Sequence, residues 1–259
     1  MNNILYKAVP KINFADRINF IKNNFNLFVL PLNESDKLLL KSYKENNEIV
    51  DEKVMLSIMN LMRSQREINV NKLFNQNRTK YINHVNELID NITVFDTNSI
   101  RDFIIKSNLP ITLLVKIVNN KILLTELKNI IKEQNNIQTI IANNAKNYEI
   151  EFSNFLKTSY PDIKFLTENE IKKLPEKYKS TPDFLFENPV TINNKLIKWI
   201  DVKNFPLIDI PFIIKKLNEQ GNKYNNEFGN GAFVFSYGVD SNVKLDENIM
   251  ILSHNNLIF

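Results

Sequence analysis

Apolar residues recur at helical spacing through the first half of the chain, and the pattern changes to strand-like runs toward its end. Ile18, Ile21, Phe25 and Phe28 mark an amphipathic helix that Pro31 stops. Ser35 or Asp36 caps a following helix that runs through Lys44. After Asp51, Val54, Ile58, Leu61 and Met62 share one helical face. Residues 68–74 form a short second helix, and residues 78–89 a third with Tyr81, Val85 and Leu88 inward. Met55, Met59 and Met62 read as core packing. Helices joined by short polar links suggest a helix-turn-helix-like bundle. In residues 97–141, Asn98 or Ser99 caps a helix, Asn108-Leu109-Pro110 breaks it, and residues 111–118 and 123–131 supply further apolar faces.

The boundary falls near residue 140, which divides the chain into residues 1–140 and residues 141–259. The second part opens with a helix over residues 143–158 that buries Tyr148, Phe152, Phe155 and Leu156. A short segment and a polar, lysine-rich connection with Lys172, Lys173, Lys177 and Lys179 follow. Thr181-Pro182 favours extended backbone and delivers Asp183 onto the start of a strand. Asn193-Asn194 is a tight turn, and residues 196–203 are the return strand. After a loop at residues 206–210, residues 213–228 form a helix with Ile213, Leu217 and Tyr224 on one face. Gly229 and Gly231 end it, and strands follow at residues 232–237 and 248–253.

Composition narrows the chemistry. The 259 residues include no cysteine, so disulfides and thiolate zinc sites are excluded. His84 and His254 stand far apart, as surface or structural residues, not a histidine metal site. The formal charge of +4 and a pI near 9.0 favour a polyanionic partner. Arg63, Arg66, Lys72, Arg78 and Lys80 in the helical half, and Lys179 beside the hairpin, are the cations that would meet phosphates, unless they form a solvated face. No apolar run is long enough to span a bilayer, and the first residues lack the apolar run and cleavage site of a secretory leader. The expectation is an intracellular protein, nuclear in a eukaryote and cytoplasmic otherwise.

The hairpin carries the candidate site. Side chains alternate along a strand, so Asp201 and Lys203 share one face while Ile200 and Val202 point to the other. Asp183, Asp201 and Lys203 then converge at one end of the hairpin. Two carboxylates can hold a divalent cation, which polarises a phosphoryl oxygen and acidifies a bound water. The lysine can orient or deprotonate that water, or stabilise transition-state charge.

Thr181-Pro182-Asp183 and Trp199-Ile200-Asp201-Val202-Lys203 resemble the TPD signature and W-I-E-x-K strand of the TPD-motif nucleases, the codanin-interacting nuclease family of the PD-(D/E)XK superfamily. Asp201 stands where that family has Glu. Gln220, Phe228-Gly229-Asn230-Gly231 (with Asn for Pro) and Tyr237-Gly238 continue the resemblance. It covers residues 145–259 well and the first half more loosely.

The resemblance implies an α/β fold in which a helical, helix-turn-helix-like nucleic-acid-binding half precedes a restriction-endonuclease-like core, with a central mixed sheet flanked by helices. It implies a Mg²⁺- or Mn²⁺-dependent endonuclease acting on DNA. Asp183, Asp201, Glu151 and the Val202 carbonyl would be metal ligands, with Glu149 the alternative to Glu151. Lys203 would activate the water, and Gln220 would hydrogen-bond that water or a phosphate. A second reading is a non-catalytic nucleic-acid-binding or scaffold protein that keeps the fold. A third, a structure-specific resolvase, predicts a homodimer. A codanin-like partner follows only by analogy.

Overall fold

The computed structural model describes Ile4, residues 12–29 and residues 31–254. The chain has a mixed α/β fold: a helical N-terminal half and a central five-stranded mixed sheet flanked by helices. It divides into two units. One comprises residues 16–141; the other holds residues 142–254 together with Ile4 and residues 12–15. The sequence division at residue 140 had left those N-terminal residues with the helices.

In the helical unit, α1 (Ala15–Asn24) stops well before Pro31. Asn26 Oδ1 accepts the Phe28 N–H at 2.9 Å, and this Asx turn breaks the helix, so Phe25 and Phe28 are buried from a turn. The next helix, α2 (Glu34–Lys41), is capped by Asn33, whose side chain accepts the Asp36 N–H at 2.7 Å. The cap is thus neither Ser35 nor Asp36. The helix also ends short of Lys44, because β1 (Lys44–Glu45) and β2 (Glu48–Ile49) form a small antiparallel hairpin. Asn46 and Asn47 take the left-handed backbone its turn requires.

One 25-residue helix, α3 (Glu52–Gln76), replaces the two expected between Asp51 and Phe74. It contains no glycine or proline to interrupt it. Met55, Ile58, Met59 and Met62 are its buried stripe. Asn77 alone separates it from α4 (Arg78–Asp90), which turns Val85 inward. α5 (Thr97–Ser107) is capped by Asp96, not Asn98 or Ser99, and Asn108 ends it in the left-handed conformation. α6 (Ile111–Ile117) follows, and its apolar side chains join Phe28, Val85, Phe103, Leu123 and Leu127 in one core.

α7 (Lys121–Ser159) is a single 39-residue helix, where the sequence suggests separate helical segments over residues 123–131 and 143–158. Again no glycine or proline interrupts it. Its residues from Ala142 onward belong to the sheet unit. There Tyr148, Phe152, Phe155 and Leu156 pack on one face of the sheet, with Phe184, Ile200, Val202 and Val234.

The sheet order is β3 (Phe165–Thr167), β4 (Phe184–Ile192), β5 (Lys195–Lys203), β6 (Gly231–Phe235) and β7 (Ile249–Ser253). The short α8 (Glu168–Ile171) follows β3, and α9 (Pro211–Phe228) crosses from β5 to β6. β3–β4 and β4–β5 are antiparallel, whereas β5–β6 and β6–β7 are parallel, as a helical crossover requires. Asn193 and Asn194 both have positive φ in the β4–β5 turn. Pro189 has no N–H for the ladder, and the pairing register shifts between Leu185 and Val190 to accommodate it.

Helix α9 covers the face opposite α7. Tyr224 meets the Trp199 ring edge-on at a 5.0 Å centroid distance. The helix ends at Phe228, and Gly229 takes φ 91° beyond it. Gly231 is the first residue of β6, so it starts the strand and does not end the helix. A Cβ there would lie 1.9 Å from the Trp199 ring.

Candidate functional site

β5 is the middle strand of the sheet and is buried from Trp199 through Val202. Alternation puts Ile200 and Val202 in the α7-side core and turns Trp199, Asp201 and Lys203 toward the α9 face. Asp201 is only 3% exposed. Its Oδ1 is paired with the Lys203 ammonium. Its Oδ2 accepts from Gln220 Nε2 at 3.1 Å and from the Tyr224 hydroxyl at 3.4 Å. The Lys203 ammonium also lies over the Phe233 ring, 5.2 Å from its centroid.

The Thr-Pro-Asp turn brings the second acid. Asp183 immediately precedes β4, and its Oδ2 accepts the Val202 N–H at 2.7 Å. The peptide N–H and C=O of one strand residue point to the same edge, so the Val202 carbonyl lies on the Asp183 side of β5. Thr181 contributes its carbonyl, 3.3 Å from the Tyr224 hydroxyl.

The structure brings Asp183, Asp201, Lys203 and Gln220 together. It does not bring Glu151. That side chain is exposed, and its charge acts on Tyr148 and His254. Glu149, on the other flank of the buried stripe, is half-buried and feels Glu168, Asp201 and Lys203. Among the candidate phosphate-binding cations, Lys72, Arg78, Lys80 and Lys179 are exposed. Arg63 and Arg66 are engaged within the helical unit. Arg63 lies against Glu67, and Arg66 stacks on Phe28 and donates to Asn108.

Sequence reasoning missed two participants. Apolar spacing with Ile213 and Leu217 marks Tyr224 only as a core residue, although its position one turn after Gln220 places both on the Asp201 side. Glu168 opens the polar, lysine-rich connection of residues 168–177, where nothing local marks it. Its N–H donates to the Asp183 carbonyl at 3.0 Å, and its carboxylate, ion-paired with Lys172, adds negative charge near Asp201.

Burial and crowding set the electrostatics. Burial first, and the Asp201 charge second, push the Asp183 carboxyl well above its usual range, against the pull of Lys203 and the Val202 N–H. Burial also raises Asp201, while Lys203 and the Tyr224 hydroxyl oppose the shift. Glu149 is raised by burial, then by Glu168 and Asp201.

Among the described residues, no three Asp, Glu or His side chains stand close enough together to hold an ion as they are placed. The donor chemistry nevertheless fits a hard divalent cation. Two carboxylates share a desolvated strand end beside the Lys203 ammonium, and a cation would offset the burial that makes both acids hard to ionise and the charge of Asp201 that adds to it at Asp183.

The fold and this strand end describe an α/β protein with a Thr-Pro-Asp turn clamped onto a buried Asp-x-Lys strand. Residues 119–255 match a family described as "protein of unknown function TPD sequence-motif", and the turn falls within that match. The uncharacterized protein L539 of Acanthamoeba polyphaga mimivirus is 32% identical over 249 residues, spanning 92% of this chain and 89% of its own length. The chain belongs to the TPD sequence-motif family. No solved structure matches it. Among the described residues, no helix is long and apolar enough to cross a membrane.

Proposed function

We propose that this protein is a divalent-cation-dependent endonuclease that hydrolyses phosphodiester bonds in DNA, on the pattern of the PD-(D/E)XK nucleases its motifs resemble. The observation that carries the reading is the meeting of three groups. Asp201 and Lys203 pair on a buried strand, and the carboxylate of Asp183 is fastened to the residue between them. A buried acid pair with a lysine is costly for folding alone, and such desolvated clusters are characteristic of reactive sites.

Asp183 and Asp201 would hold the cation, with Glu149 and the Val202 carbonyl beside them. When bound, it supplies Lewis-acid stabilisation of the phosphoryl oxygen and acidifies water. Lys203 places a positive charge where the attacking water and the pentacoordinate phosphorus develop negative charge. Both Gln220 N–H groups are engaged, by Asp201 and by Tyr224, so its Oε1 remains to accept a hydrogen bond from that water. The water attacks phosphorus in line and the bond to the 3′ oxygen breaks. The water's proton is released and the leaving oxygen is protonated, which gives a 5′-phosphate and a 3′-hydroxyl. The exposed Lys72, Arg78, Lys80 and Lys179 offer sequence-independent phosphate contacts.

The test is incubation of the protein with labelled linear duplex, single-stranded and four-way-junction DNA, with and without Mg²⁺ or Mn²⁺, beside Lys203→Ala. Cation-dependent cleavage that Lys203→Ala abolishes without loss of DNA binding supports the reading. The substrate cleaved fastest, together with the mass of the active species, decides between a simple nuclease and a dimeric junction enzyme. Binding without cleavage, unchanged in Lys203→Ala, identifies a nucleic-acid-binding scaffold instead.

A further inference from the structure

Three segments meet at one hydroxyl. Tyr224 comes from α9 and is 6% exposed. Its oxygen accepts from Gln220 Nε2 at 2.9 Å. Its single proton faces the Thr181 carbonyl at 3.3 Å and Asp201 Oδ2 at 3.4 Å. The same Gln220 nitrogen donates to Asp201 Oδ2. A carboxylate that pairs with an ammonium can only accept, so the amide must turn its nitrogen toward Asp201. The Tyr224 oxygen accepts the second amide proton and holds that orientation. The ring is fixed edge-on against Trp199, whose indole N–H is held by Gly229 O at 2.9 Å and Asn225 Oδ1 at 3.1 Å.

We infer that Tyr224 is a positioning residue for the proposed cation site: its hydroxyl sets the Gln220 amide and Asp201 Oδ2 in one arrangement and ties both to the Thr-Pro-Asp turn that carries Asp183. This role rests on the nuclease reading, since it gives the network something to position. Without the hydroxyl, the ring still packs on Trp199. The Thr181 carbonyl and one Gln220 N–H lose their partner, the amide is free to rotate, and Asp201 loses one of its two neutral donors. The expected consequence falls on cation affinity and on turnover, since groups behind metal ligands set ligand orientation.

The experiment uses the full chain as wild type, Tyr224→Phe, Gln220→Leu and the double variant. Each is titrated with Mn²⁺ alone, followed by the loss of the free-ion paramagnetic resonance signal, and each is assayed on the DNA that wild type cleaves. Tyr224→Phe is expected to weaken Mn²⁺ binding about tenfold and to lower kcat with little change in KM. The double variant should lose little more than Gln220→Leu alone, because Tyr224 acts through the Gln220 network. Thermal melting without metal tells a folding loss from a positioning loss. Should Tyr224→Phe fold poorly, the Gln220→Leu titration carries the same expectation. Wild-type Mn²⁺ affinity and kcat in both single variants would overturn the positioning role and the Gln220 contact to the water, and leave the nuclease reading standing on Asp183, Asp201 and Lys203. A wild type that neither binds Mn²⁺ nor cleaves DNA overturns both.

Discussion

The carboxylate of Asp183 accepts the backbone N–H of Val202 at 2.7 Å, so the Thr-Pro-Asp turn is fastened to the central strand between the two residues, Asp201 and Lys203, that form its buried ion pair. This bond places two acids on one desolvated spot before any cation arrives. It fixes the site at the expense of charge repulsion, and the repulsion is measurable.

Both acids bind a proton more readily in the folded chain than unfolded, because burial raises Asp183 and Asp201 above the ordinary aspartate value of 3.8. For a raised carboxyl, the folded state holds protons that the unfolded state releases, so stability falls as pH rises from about 3.8 through the folded pKa. Asp183→Asn removes one buried charge while its amide oxygen can still accept the Val202 N–H. In cation-free buffer at neutral pH, this variant should melt higher than wild type, by roughly 2–4 °C for each 1 kcal/mol regained, and should lose Mn²⁺ binding. Melting curves in chelator across pH 5 to 8 read the first effect, and an Mn²⁺ titration reads the second. A lower melting temperature for Asp183→Asn would contradict the account of the site as electrostatically strained.

Glu149 and Glu151 make opposite predictions. Glu149 lies within the field of Asp201 and Lys203, whereas Glu151 is exposed on the other flank of the helix. Glu149→Gln should reduce Mn²⁺ affinity and DNA cleavage by about tenfold or more. Glu151→Gln should leave both within twofold, with stability changed by about 0.5 kcal/mol at most. Reversal of that order would mean that the helix presents its other flank to the site.

Gly231→Ala tests the packing beneath the site. The added Cβ would sit 1.9 Å from the Trp199 ring, which is itself held by hydrogen bonds to Gly229 and Asn225. The ring cannot yield without breaking those bonds, so a loss of about 1–3 kcal/mol is expected, read by denaturant titration. Trp199→Leu in the same chain should recover part of it, as a direct clash requires. Additive losses would show that the two positions do not meet.

His254 gives a pH dependence of the opposite sign. Its ring packs against Tyr148 at 5.4 Å and Phe155 at 6.5 Å between centroids, and burial lowers its pKa from the usual 6.5 while Glu151 partly restores it. A histidine depressed in the fold takes up its proton first when unfolded. The stability it contributes is complete above about 6.5 and declines as pH falls toward the folded value. Denaturant titrations at pH 7.5 and 5.5 should show a smaller loss on acidification for His254→Phe than for wild type. An identical loss in the two proteins would remove His254 from the acid response.

Much of this chain could be read from local chemistry, and the exceptions have physical causes. Thr181-Pro182 commits the chain to extended backbone, Asn193-Asn194 accepts the left-handed turn, and alternation on a strand puts Asp201 and Lys203 on one face. Those are properties of neighbouring residues, so the hairpin and its acid pair were legible. Helix ends were less so, since Asn33, Asp96 and Asn26 compete as caps and turns with the polar residues beside them, and only the packed chain selects among them. The choice between Glu149 and Glu151 lay beyond any local reading. Both flank the stripe of Tyr148, Phe152 and Phe155, and which flank meets the acids depends on how that stripe seats on the sheet. The same is true of Tyr224 and Glu168, whose roles arise where separate segments converge on Asp201 and Asp183. Sequence spacing determined which groups a single strand or turn could present; three-dimensional packing decided which groups from other elements would meet them.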